Sequence, residues 1–195
     1  MTTWLAVADS PYAAGFLEVI QEPARTITYN GGIRLLRPDV YWLFDSVACR
    51  MYAADAYAAR ADGTWLVTLL RNGSALARRG VGDFDEFIAI EGGVSSQLDR
   101  QHWYSLAFSR PYTWQYALHR GATRLVLIGQ EGYPPADPRF RYCKMFFEPM
   151  LAQAVKLWPE VEFVFCGVPN YTLPASVVQY RTPRAYVEGE LCVSS

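Results

Sequence analysis

Ser109-Arg-Pro-Tyr-Thr-Trp-Gln-Tyr-Ala-Leu-His-Arg-Gly-Ala-Thr-Arg-Leu-Val-Leu-Ile-Gly129 carries a helix and a strand in one stretch. Ser109 is placed to cap a helix, and Pro111 falls in its first turn, where a missing N–H costs little. Gly121 ends the helix. Leu125 to Ile128 is then a continuous apolar run, the pattern of a strand buried on both faces. Working outward, similar runs recur at Trp4 to Ala8, Thr26 to Tyr29, Val40 to Phe44, Trp65 to Leu70, Phe87 to Ile90 and Val161 to Cys166. Helical patterns lie between several of them, at Ala13 to Ile20, Ser46 to Ala59, Pro111 to Arg120 and Lys144 to Leu157. Strands alternating with helices predict an α/β fold, a Rossmann-like and mostly parallel sheet with helices on both faces. One domain over 1–195 is expected. Residues 72–85, rich in turn pairs such as Asn72-Gly73 and Gly82-Asp83, read as a hairpin excursion. Residues 184–195 read as an edge strand or tail.

Composition narrows the function. The chain has 195 residues, 51% hydrophobic and 19% charged, which is globular rather than disordered. Its net charge of −1 leaves no surplus of Lys and Arg for a run of phosphates, which argues against duplex nucleic acid as a partner. Cys49, Cys143, Cys166 and Cys192 are scattered, with no CxxC spacing and no nearby His, so neither zinc nor a disulfide framework is indicated. No apolar run of about 18 residues occurs and the amino terminus lacks a signal-peptide pattern, so no membrane span and a cytoplasmic location are expected.

In an open parallel sheet ligands bind outside the carboxyl ends of the strands. The residues that follow the strands are Asp9-Ser10, Asn30-Gly31-Gly32, Asp45-Ser46, Glu91-Gly92-Gly93, Gln130-Glu131 and Asn170, a small and polar set. Glycines there let backbone N–H groups approach a phosphate, and a following helix adds partial positive charge. Each also has a structural explanation: Asp9-Ser10-Pro11 and Asp45-Ser46 can simply cap helices, and Asn30-Gly31-Gly32 can be a turn. Their joint occurrence at one edge is the stronger signal. His119, in the last helical turn, belongs opposite that edge, whereas His102 sits on a segment able to reach it. No GxGxxG, Walker loop or G-x-S-x-G elbow occurs. Aromatic side chains such as Tyr112, Trp114, Tyr133, Phe140 and Tyr142 lie near the expected loops and suit stacking on a base or sugar as well as core packing.

These segments resemble a family. Thr26 to Asn30, Arg37 to Asp45, the helix from Ser109, and Gly121 to Glu131 are similar in order and spacing to bacterial sialyltransferases that use CMP-sialic acid. They are equally similar to the group around archaeal 6-hydroxymethylpterin diphosphokinase and motility-associated glycosyltransferases. Phe163 to Leu173 resembles the closing strand and loop of that family, so the likeness runs from about Trp4 to Ala175. It implies that Asn30 and Asn170 contact the nucleotide or its sugar, that Ser109 lies near the phosphate, and that Tyr133 and Tyr142 bond phosphate oxygens. The chain departs from the family in having Ala8-Asp9-Ser10-Pro11 where a glycine-rich loop is common, no His after His119, and Glu131 in place of Asp.

The resulting expectation is a nucleotide-sugar-dependent glycosyltransferase acting on a hydroxyl acceptor, with a CMP- or UDP-linked donor. Glu131 is the expected base, Asp45 the second choice, and Arg110 the group that meets the leaving phosphate's charge. Asp9, Ser10, Asn30, Gly31, Ser109, Tyr133, Tyr142 and Asn170 form the expected nucleotide-binding set, and no metal site is assigned. Two alternatives share the fold: diphosphate transfer with Asp9, Asp45 and Glu131 on Mg²⁺, or a non-catalytic relative that binds a nucleotide or a protein.

Overall fold

The computed structural model describes residues 1–43, 46–69, 84–95, 97–106 and 108–190. Among these residues eight strands form one sheet in the order β10-β9-β8-β1-β2-β3-β4-β5. They are β1 (Thr3–Val7), β2 (Arg25–Tyr29), β3 (Val40–Trp42), β4 (Trp65–Leu69), β5 (Glu86–Ile88), β8 (Arg124–Ile128), β9 (Glu162–Cys166) and β10 (Val178–Tyr180). Every described pairing is parallel, from Trp4↔Arg25 and Trp4↔Leu125 at the centre to Val178↔Val164 at one edge. The fold is therefore the expected α/β, Rossmann-like arrangement. A separate two-stranded ladder, β6 (Glu91–Ser95) with β7 (Tyr104–Leu106), was not legible in the sequence, because its strands lack a long apolar run.

Among the described residues five α-helices cover the sheet: α1 (Ala13–Val19), α2 (Ser46–Ala61), α3 (Ser109–His119), α4 (Glu148–Leu157) and α5 (Pro183–Glu188). One face of the sheet, with Trp4, Ile27, Trp42, Leu125 and Phe163, packs on Tyr112, Tyr116 and Ala117 of α3 and on Leu151 and Ala154 of α4. On the other face Val7, Val126 and Val164 pack on Ala13 and Phe16 of α1, while Tyr41, Leu43 and Leu66 pack on Cys49 and Ala56 of α2. Burial on both faces is why the strands read as continuous apolar runs. Trp42 anchors the first face, stacked on Tyr112 at 5.2 Å and Trp103 at 5.8 Å.

Three local expectations are corrected. Ser109 does not cap α3: the cap position is Phe108, which makes no side-chain capping bond, and Ser109 is the first helical residue. The segment 184–195 is not an edge strand where it is described. Thr182 caps α5 by accepting from Ala185 N at 3.1 Å, Pro183 opens it, and Gly189 closes it at φ 69°. Those cap and stop residues set a helix there, and the edge position is taken by β10. Before α4 the chain makes a π-helical turn, Cys143–Phe147, rather than a regular helical one. The proposed hairpin at 72–85 lies outside the described residues except at its end, where Asp85 accepts from Leu66 N and pairs with Arg60 at 2.9 Å.

Candidate active site

The strand order sets the position of the site. The chain winds outward from β1 to β5, then returns to place β8 against the other side of β1. Neighbouring crossovers therefore leave β1 in opposite directions and open a crevice at the carboxyl ends of β1 and β8. Four strand ends meet there.

From β1, Asp9 is exposed and lies directly over the β2 loop: a Cβ added at Gly31 would sit 2.1 Å from Asp9 Oδ2 and 3.1 Å from the Tyr52 hydroxyl. Ser10 is buried beside the Glu131 carboxylate. From β2, Asn30 takes φ 47°, the one described non-glycine residue at positive φ. A strand-end residue held there stores strain that its surroundings must sustain. Its carbonyl accepts from the Tyr41 hydroxyl at 3.0 Å, yet its side-chain Oδ1 is buried with no partner.

From β8 come Gln130 and Glu131. Gly129, at φ +71°, lets the two strand ends close: an added Cβ would meet Ala8 O at 2.5 Å and Ser10 Cβ at 3.0 Å. Glu131 is 6% exposed, and its Oε1 is buried without a partner against the backbone of Gly167, which follows β9. Burial pushes the Glu131 carboxyl above the ordinary glutamate value. Hydrogen bonds from its own backbone N–H and from Ser10, with the Arg110 charge, oppose that rise. From β9, Asn170 N donates to Glu131 O at 2.7 Å, and the Tyr171 hydroxyl donates to Gln130 O at 2.9 Å.

Arg110 ties these ends together. It sits in the first turn of α3, and its Nε donates to the Tyr29 hydroxyl at 3.2 Å and its Nη1 to Gln130 O at 3.1 Å. The guanidinium lies 4.3 Å from the centre of the Phe147 ring. Only two of the five donors on its fork are used in these contacts. Phe147 ends the π-helical turn, whose first residue, Cys143, accepts from Tyr133 N at 3.1 Å. Isolated π-turns of this kind recur at functional sites.

The structure thus gathers Asp9, Ser10, Asn30, Gly31, Arg110, Glu131 and Asn170 into one connected cluster. Ser109 is buried beside Arg110 on the same turn of α3. Tyr133 and Tyr142 stand one layer out, in an aromatic wall: Tyr133 under Arg139 at 4.2 Å, Tyr142 against Phe108 at 5.2 Å. Asp45 lies outside the described residues. His119 sits at the far end of α3, with Nε2 2.8 Å from Asp99 O, and burial lowers its pKa. His102 is beside it rather than at the crevice, 3.2 Å from Asp99 Oδ1, so it takes no part in the cluster. Sequence reasoning missed Tyr29, Tyr52, Phe147 and Tyr171. Tyr29 and Tyr171 each adjoin a strand-end asparagine, the signal that was present. Among the described residues no three His, Cys, Asp or Glu side chains gather closely enough to hold a metal, and no helix is long and apolar enough to cross a membrane.

No protein-family model matches this sequence, and no curated protein matches it. Among solved structures, MAf glycosyltransferase from Magnetospirillum magneticum AMB-1 aligns over 98% of this chain with a TM-score of 0.57 and 16% sequence identity. The chain spans 38% of the length of that protein, and at this identity the likeness shows a shared fold.

Proposed function

We propose that this chain is a nucleotide-sugar-dependent glycosyltransferase domain that moves a sugar to a hydroxyl acceptor, with Glu131 as base. One observation carries the reading: a carboxylate 6% exposed, with one oxygen lacking any partner, at the switch point of a parallel sheet. A carboxylate whose pKa burial raises is a stronger base than an exposed one. The fold shared with a glycosyltransferase agrees with this reading.

In the proposed reaction Glu131 takes the acceptor hydroxyl's proton as that oxygen bonds to the anomeric carbon. The bond from that carbon to the donor's phosphate oxygen breaks, and its electron pair leaves with the nucleotide. Arg110, with donors to spare, meets the charge that grows on the phosphate. Asn30 and Asn170 hold the nucleotide and its sugar, Ser10 orients Glu131, and Tyr133 and Tyr142 bond phosphate oxygens. The buried thiols Cys49, Cys143 and Cys166 suit a reducing, cytoplasmic setting.

The test is a transfer assay with CMP- and UDP-linked sugars over a panel of hydroxyl acceptors, with and without Mg²⁺. Sugar transfer that ceases in Glu131→Gln supports the proposal. Reaction only with ATP and Mg²⁺, or none with any donor, overturns it. Arg110→Lys keeps the charge and loses the fork, so kcat is expected to fall at least about tenfold. The same change removes the bonds to Tyr29 and Gln130 and costs about 2 kcal/mol in urea unfolding.

A further inference from the structure

At the opposite edge, where the same strands begin, Trp4, Arg25, Asp39 and Trp65 line a cleft of about 340 Å³ closed by Tyr116 and Arg120 of the α3 end. A neighbouring hollow of about 250 Å³ shares Tyr116 and Arg120 and adds Glu86 and Trp103. The transfer proposal uses none of these side chains.

The lining has two properties. It is aromatic: Trp65 is 47% exposed on the first strand position of β4, and its indole N–H is held by Glu86 at 3.2 Å. It is also rich in hydrogen-bonding groups of balanced charge. Glu86 accepts from the Tyr116 hydroxyl at 2.8 Å and pairs with Arg120, whose guanidinium lies 5.0 Å from the Tyr116 ring centre. Asp39 is exposed and accepts from Thr26 N and Oγ1. Arg25 is exposed, lies 5.8 Å from the Trp4 ring centre, and joins no ion pair among the described residues. The Trp4 indole N–H is buried without an acceptor.

Two arginines facing two carboxylates leave no net charge, so a phosphate entering the cleft would meet Asp39 and Glu86 as well as the cations. A pyranose fits better. Its C–H face can lie on the exposed Trp65 ring, while adjacent hydroxyls pair with a guanidinium fork and a carboxylate. We infer that this cleft is a binding subsite for a neutral saccharide, separate from the transfer site and on the far edge of the sheet.

The experiment is saturation-transfer NMR of the full chain with glucose, galactose, N-acetylglucosamine and lactose, beside N-acetylneuraminic acid and inorganic phosphate as charged comparators. At least one neutral sugar should bind in the millimolar range. Trp65→Ala and Arg25→Ala should each weaken it fivefold or more, with Trp65→Phe restoring most of it and Glu131→Gln leaving it unchanged. No signal from any neutral sugar would overturn the inference, as would binding of the charged comparators alone, binding that survives both alanine variants, or binding lost in Glu131→Gln. Because the two sites share no residue, failure here leaves the transfer proposal standing, and loss of transfer in Glu131→Gln leaves this one standing.

Discussion

Glu131→Gln lowers kcat by at least about a hundredfold, the loss expected when a positioned general base is removed, while donor affinity changes little. The amide keeps the size and shape of the side chain, so the loss reports the missing base rather than a misfolded site. Retention of more than a tenth of wild-type kcat would exclude Glu131 from that role. The same carboxylate also leaves a mark on stability. Its pKa is raised in the folded chain, so the folded state binds the proton more tightly than the unfolded one. That stabilisation is complete below the ordinary glutamate value and is lost as pH rises through the higher folded value. The melting temperature of wild type relative to that of Glu131→Gln therefore falls across that window, which begins near 4.5. If the two proteins trace the same curve, the carboxyl is not raised.

Gly129→Ala is expected to cost about 3 kcal/mol or more in urea unfolding, from left-handed strain of about 1–2 kcal/mol plus the overpacking of a backbone contact. The new methyl would press on Ala8 O and Ser10 at the point where β1 and β8 diverge. Gly121→Ala is the control, since it shares the positive φ, at +78°, but has nothing within 4 Å of the added carbon. It should lose only the strain. Equal losses would mean that contact with β1 contributes nothing.

The sheet was legible because burial on both faces writes itself as unbroken apolar runs, and seven of the eight sheet strands coincide with such a run. β10 did not announce itself, since Val178, Gln179 and Tyr180 are half-buried and polar in the middle. The strand-end residues were legible because parallel topology sends every carboxyl end to one edge; Asp9, Asn30, Glu131 and Asn170 could be named from position. Contacts between them could not. That Arg110 reaches Tyr29, or that Glu131 is enclosed by Gly167, depends on the crossing of α3 and on a glycine φ that local pattern does not encode. The aromatic wall was half visible, as a surplus of rings, but the π-turn that brings Phe147 under Arg110 has no sequence signature.

Of the strands in this sheet the earliest in chain order, β1, is a central one. Thr2 waits for Thr123, 121 residues later, to complete the bond that starts the β1–β8 pairing. At bacterial and eukaryotic synthesis speeds that delay is roughly 6 to 24 s, during which one border of the newborn sheet stays open to other chains. A truncation before Arg124 would leave that border open for good.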